Sequence, residues 1–174
     1  MVGEFAQKGY LTDITNRVQS WGRISDWYPT NFAGGVYSGK ICAIWAWTDV
    51  RGIWYWKDLL NRAQVNPNSL ITWDGYISST KKISDALKGQ GIQGTVLNGA
   101  DYSPDLWYPY LWMLGGDIVV QKDGHPRKGT YWFPAYNSSA GVKALEFIKE
   151  QINAGITPVK DNLDKTFVDR KVAV

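Results

Sequence analysis

The stretch that begins at Ser103-Pro104-Asp105 and ends at Leu114-Gly115-Gly116 constrains the fold more than any other. A hydroxyl, a proline and an acid in that order suit a helix cap, the first helical position and the positive end of the helix dipole. Paired glycines suit the left-handed turn that ends a helix. The spacing predicts a helix over residues 103–114, kinked at Pro109. The same punctuation recurs on both sides. Thr72 caps a helix through Leu87, with Trp73, Ile77, Thr80, Ile83 and Leu87 at helical spacing and Gly89 and Gly91 closing it. Ser138 or Ser139 caps another, with Val142, Leu145, Ile148 and Ile152 on one face. Asn153-Ala154-Gly155-Ile156 and Pro158 stop it. Shorter helical pieces are expected before Gly9, from Thr12 or Asp13 toward Val18, and at Lys57-Asp58-Leu59-Leu60.

Apolar runs separate these helices. Residues 41–47, 51–56 and 95–97 read as strands, and residues 117–120 and 131–133 as a hairpin. Residues 36–41 read as a second hairpin turning on Ser38-Gly39. Residues 21–28 and 66–69 read as loops, and residues 166–174 as a helix leading into a strand. Helices alternating with strands indicate an α/β arrangement with a partly parallel sheet. Residues 1–10 lack an opening strand and Ala173-Val174 read as the entry to one, so the sequence is expected to be an internal portion of a longer chain.

Composition narrows the function classes. A net charge of +3 comes from acids and bases mixed along the chain, which implies neither nucleic acid nor an anionic membrane as partner. No apolar run reaches the ~18 residues of a membrane span, and no leader pattern opens the sequence. Cys42 is the single cysteine, so an internal disulfide is excluded, and it reads as a buried inert thiol. His125, the single histidine, falls in a polar turn and is a poor candidate for catalysis. No phosphate loop, metal-ligand spacing or nucleophile elbow is present, and no cofactor is implied. Ten tryptophans and ten tyrosines exceed what core packing ordinarily uses. Their faces can stack on the C–H side of a pyranose, or they can simply pack.

The series Gly39-Lys40-Ile41-Cys42-Ala43-Ile44, Thr48-Asp49-Val50-Arg51-Gly52-Ile53-Trp54-Tyr55 and Lys57-Asp58-Leu59-Leu60 resembles extracellular solute-binding proteins of sugar ABC transporters. The maltose/trehalose-binding branch is the nearest. Thr72-Trp73-Asp74, Leu114-Gly115-Gly116, the segment from Asn137-Ser138-Ser139-Ala140-Gly141 to Phe147, and Ala154-Gly155-Ile156-Thr157-Pro158 continue it in order. The resemblance implies a periplasmic-binding-protein-like type II fold of two α/β lobes, with a sugar held between them. Residues 1–47 would be part of the first lobe and 48–174 an incomplete second, with the crossover near 46–50. The implied protein binds an oligosaccharide without chemistry and hands it to transporter permease subunits. It would be a monomer outside the cell or in the periplasm, membrane-anchored in its full-length form. The sequence departs from the family at Cys42 (commonly Tyr), Trp45 (Pro), Trp56 (Arg) and Gly75 (Glu), changes that bear on stability more than on ligand class.

By the resemblance, Trp47 and Asp49 contact the sugar at the crossover, with Arg51 beside them. A carboxylate accepts two hydroxyl hydrogen bonds, and an aromatic two residues earlier on an extended chain faces the same side. Asp49 could instead pair with Arg51, leaving Trp47 in the core. A second patch, Asp101, Tyr102, Asp105, Trp107 and Tyr108, would approach the ligand from the second lobe at a helix start. The alternatives are a glycoside hydrolase, with Asp49 and Asp101 or Asp105 as paired carboxylates, and a lectin-like module, which should be richer in strand.

Overall fold

The computed structural model describes residues 2–46, 50–98, 103–122, 131–156, 158–159 and 163–174. The chain divides into two compact units, Met1–Gly52 and Ile53–Val174.

In the first unit, α1 (Val2–Gln7) closes through Gly9, whose φ of +74° is the left-handed conformation of a helix stop. Helix α2 (Thr15–Trp21) starts later than expected. Asp13 still sets its entry, accepting hydrogen bonds from the Thr15 amide at 3.0 Å and hydroxyl at 2.6 Å. Those bonds from Thr15, with Lys40 nearby, hold the Asp13 carboxyl below its ordinary range. The expected loop at 21–28 contains a 3-10 turn, Ile24–Asp26, and leads into α3 (Pro29–Ala33). Its indoles pack together: Trp21 and Trp27 meet edge to face at 5.1 Å, and Trp27 Nε1–H donates to the Trp45 carbonyl at 2.8 Å.

Strands β1 (Val36–Tyr37) and β2 (Lys40–Ile41) form the expected hairpin. Ser38 and Gly39 both have positive φ, the requirement of a tight two-residue hairpin turn. The expected strand over 41–47 does not extend past Ile41 among the described residues. The amides of Cys42 and Ala43 both donate to the Gly35 carbonyl, which ends the regular ladder. Cys42 is therefore half-buried rather than a core thiol. Residues 51–56 are not a strand either, although Trp56 N–H donates to the Ala173 carbonyl at 2.9 Å.

The second unit opens with α4 (Lys57–Arg62) and a 3-10 turn, Pro67–Ile71, followed by α5 (Trp73–Leu87). Thr72 Oγ1 caps α5 by accepting from Gly75 N–H at 3.2 Å. Thr80, Ile83 and Leu87 face inward as the periodicity predicts, and Ile83 and Leu87 join Leu59, Leu60, Leu70 and Ala173 in the core of this unit. Strand β3 (Leu97–Asn98) follows, then α6 (Ser103–Met113). Helix α6 ends in a Schellman turn: Gly116 N–H bonds to Leu111 O, Gly115 N–H to Trp112 O, and Gly115 has φ +72°.

Strands β4 (Val119–Lys122) and β5 (Tyr131–Pro134) make the second expected hairpin. The turn between them, with His125, lies outside the described residues. Helix α7 (Ser139–Asn153) is capped by Ser138, whose Oγ accepts from Gly141 N–H at 3.2 Å. Strand β6 (Pro158–Val159) pairs in parallel with β3, in register Leu97 with Pro158, and α8 (Leu163–Val168) follows. The end of the chain is strand-like without forming a strand. Val172 bridges Gln93 in parallel, and Ala173 and Val174 donate to Gln93 and Gly94.

The face of α7 differs from the expectation. Gly141, Ala144, Phe147 and Gln151 are buried, whereas Val142, Leu145 and Ile152 are about half exposed. The buried row is the one that holds Phe147, because that ring completes an aromatic cluster. Phe147 stacks on Trp73 at 4.2 Å and meets Tyr110 edge-on at 4.8 Å.

Candidate functional site

The parallel pair β3–β6 orients the site. Helix α6 follows β3 and so starts beyond that strand's C-terminal end. Helix α7 precedes β6 in the chain, and its first turn meets that of α6 through Trp107 and Gly141. Ligands of open α/β folds bind outside the carboxyl ends of parallel strands.

At this end the two helix starts are tied together. Trp107 Nε1–H donates to the Gly141 carbonyl at 3.2 Å, which fixes the indole and satisfies its polar atom. Close approach needs the glycine: a Cβ at Gly141 would lie 2.0 Å from the Tyr136 carbonyl oxygen and 3.4 Å from Trp107 Cζ2. Three rings gather here. Trp107 lies 5.7 Å from Tyr108 at a tilt, and 6.3 Å from Tyr136 with the planes 80° apart. Trp107 and Tyr108 are half-buried, and Tyr136 is exposed. Behind them, Tyr110 packs on Trp73 and Phe147. Burial pushes the Tyr110 hydroxyl up from its ordinary pKa, opposed by a hydrogen bond with Gln151. The inner rings thus brace α6, while the outer three are half-buried or exposed.

Of the residues singled out from sequence, Trp107 and Tyr108 are brought together. Asp105 lies on the same helix. Arg51 lies in the first unit, outside any helix or strand, and is exposed. Trp47, Asp49, Asp101 and Tyr102 lie outside the described residues. Tyr136 and Gly141 were missed. The signal for Tyr136 was its place just ahead of a Ser-capped helix, at the same end as the start of α6. Among the described residues, no group of three or more His, Cys, Asp or Glu could hold a metal ion. Nor is any helix among them long and apolar enough to cross a membrane.

Two solved structures share the fold over 99% of this chain. One is an ABC transporter solute-binding protein from Thermotoga lettingae bound with alpha-D-tagatose, at TM-score 0.73 and 20% identity. The other is UgpB from Mycobacterium tuberculosis in complex with glycerophosphocholine, at TM-score 0.75 and 16% identity. The chain spans 44% and 43% of their lengths, less than half of a type II binding-protein fold. The family model for the bacterial extracellular solute-binding protein matches residues 1–173. With essentially every residue matched and the fold shared, the chain belongs to the bacterial extracellular solute-binding protein family.

Proposed function

We propose that residues 1–174 are part of the ligand-holding body of an oligosaccharide-binding protein that serves ABC-transporter uptake. The observation that carries this reading is the aromatic group at the joined starts of α6 and α7. Trp107 and Tyr108 are half-buried there, close to the carboxyl end of β3, with Tyr136 exposed beside them. Aromatic faces suit the C–H side of a pyranose, and the locked indole costs little entropy on binding. The carboxylates of Asp49, Asp101 and Asp105 and the guanidinium of Arg51 would supply hydrogen bonds to hydroxyls, with Trp47 and Tyr102 adding rings.

In this reading residues 1–47 belong to the first lobe and 48–174 to an incomplete second, with the crossover at 46–50. The ligand is held and released unchanged. The matched family and both solved relatives are binding proteins, which supports a binder over a glycoside hydrolase or a lectin-like module. Permease subunits would be the protein partners of the full-length form, which would act as an anchored monomer outside the cell.

The test is a titration of the 15N-labelled chain with maltose, trehalose, glucose, tagatose and glycerophosphocholine, followed through the indole N–H resonances. Shifts confined to the indoles of α6 and residue 47, strongest with the disaccharides, are the expected result. Selective response to glycerophosphocholine would replace the sugar with a quaternary ammonium ligand. Hydrolysis of either disaccharide during the titration would overturn the reading as a binder.

A further inference from the structure

We infer that Tyr136 is a ligand-stacking residue, so that the sugar lies in the corner between its ring and that of Trp107. This rests on the sugar-binding reading above and extends it to a residue on a different element.

The argument begins with position. Tyr136 stands just ahead of the Ser138 cap of α7. The first turn of α7 meets that of α6, which follows β3, so the cap lies toward the carboxyl end of that strand. The bond from Trp107 Nε1 to Gly141 O holds the two elements in contact there. Geometry adds to position. The planes of Trp107 and Tyr136 stand at 80° with centroids 6.3 Å apart, so the pair forms a corner rather than a closed stack. A pyranose placed there meets one ring with its C–H face and the other with its edge. Exposure completes the case. Tyr136 is 49% exposed although it sits between a strand and a buried helix turn. The backbone around it is fixed: Ala135 N–H bonds to Ile118 O, and the Tyr136 carbonyl accepts from Ser138 N–H. An aromatic ring held open on fixed backbone is preorganised for a ligand.

The corner also sets specificity. A single flat face tolerates any sugar with an apolar side. A ring whose hydroxyls are equatorial lines its faces with axial C–H, as glucose units do, so a face can stack on one aromatic ring while the hydroxyl-bearing edge meets the other. Tyr136 therefore favours gluco-configured rings over sugars whose axial hydroxyls stand on the stacking face.

The experiment compares maltose titrations of the chain and of Tyr136→Ala, Tyr136→Phe, Trp107→Ala and Trp132→Ala, read by the remaining indole resonances and by transfer of saturation to the sugar. Circular dichroism checks that each variant keeps its helix. Tyr136→Ala is expected to weaken binding about tenfold, Tyr136→Phe to retain it, and Trp132→Ala, on the exposed β5 hairpin, to leave it unchanged. Saturation of the Tyr136 ring protons should reach the sugar in the unsubstituted chain. If Trp107→Ala weakens binding and Tyr136→Ala does not, the inference falls while the sugar-binding reading stands. If maltose perturbs no indole of the unsubstituted chain up to its solubility limit, both fall.

Discussion

Gly75 sits in the first turn of α5, where the resemblance calls for a glutamate to complete a capping box. Packing explains the exchange. A Cβ at Gly75 would lie 2.1 Å from the Ser69 carbonyl oxygen, on the 3-10 turn that precedes the helix. The turn and helix can approach this closely only over a glycine. Gly75→Ala is therefore expected to destabilise the chain by about 1–3 kcal/mol in urea unfolding, although alanine is the better helix former. An unchanged midpoint would show that Ser69 moves away freely. Trp56, another departure, is compensated in a similar local way. Its ring stacks on Phe167 at 5.2 Å, its Nε1–H donates to the Phe167 carbonyl at 3.0 Å, and the Arg170 guanidinium lies 4.4 Å from its face. Arg170 also pairs with Asp58. No rule applied to residue 56 alone could foresee partners more than a hundred residues away. Tyr76 makes the clearest pH prediction. Burial pushes its hydroxyl up to about 12 from 10.0, against a lowering hydrogen bond with Thr95 at 3.0 Å. Below pH 10 both folded and unfolded chains keep this proton, and stability does not depend on it. Between 10 and about 12 the unfolded chain loses the proton first, so stability falls as pH rises through that window. Chemical denaturation at pH 9 and at pH 11.5 should differ by roughly 2 kcal/mol from this group. Tyr76→Phe should flatten that part of the profile.

Helix ends were legible because their chemistry is local. Thr72 and Ser138 each accept from the amide three residues on, and the double glycine after α6 makes the expected Schellman turn. Thr72→Ala is expected to cost about 1 kcal/mol in thermal or urea unfolding, as loss of a cap does. Strands were less legible because pairing is decided by partners distant in sequence. Residues 51–56 carry the composition of a strand yet form none, although Trp56 N–H donates to the Ala173 carbonyl. The inward face of α7 was misread for a related reason. Two apolar rows compete on this helix, and spacing alone does not choose between them. The aromatic pair Trp73 and Tyr110, on two other helices, selects the row with Phe147. Phe147→Ala should therefore cost about 3–5 kcal/mol. Leu145→Gln, on the row that periodicity preferred, should stay within about 0.5 kcal/mol. Equal losses from both would show that the exposed row is covered in solution.

At the scale of the whole molecule, the ordered motif series was readable along nearly the full sequence, but only part of a binding site could be read from it. Trp107 and Tyr108 were legible because a capped helix start places them. Tyr136 was not, since its role depends on how α7 meets α6 through Gly141. The size of the chain sets the affinity to expect. It spans 44% of one solved relative and 43% of the other, so less than half of the length that surrounds the ligand in those proteins is present here. Ligand pockets cover most of the surface of what they hold, and each uncovered face keeps its water and contributes nothing. Stacking on two or three rings with a few exposed hydroxyl bonds barely exceeds the entropy lost on association. The 174-residue polypeptide should therefore bind maltose with a Kd in the range of about 1 mM or weaker, near −4 kcal/mol. Calorimetry on the isolated polypeptide checks this directly. A micromolar Kd would mean that residues 1–174 already enclose the ligand, and the rings of Trp107, Tyr108 and Tyr136 would then have to line a far deeper pocket than one exposed and two half-buried rings provide.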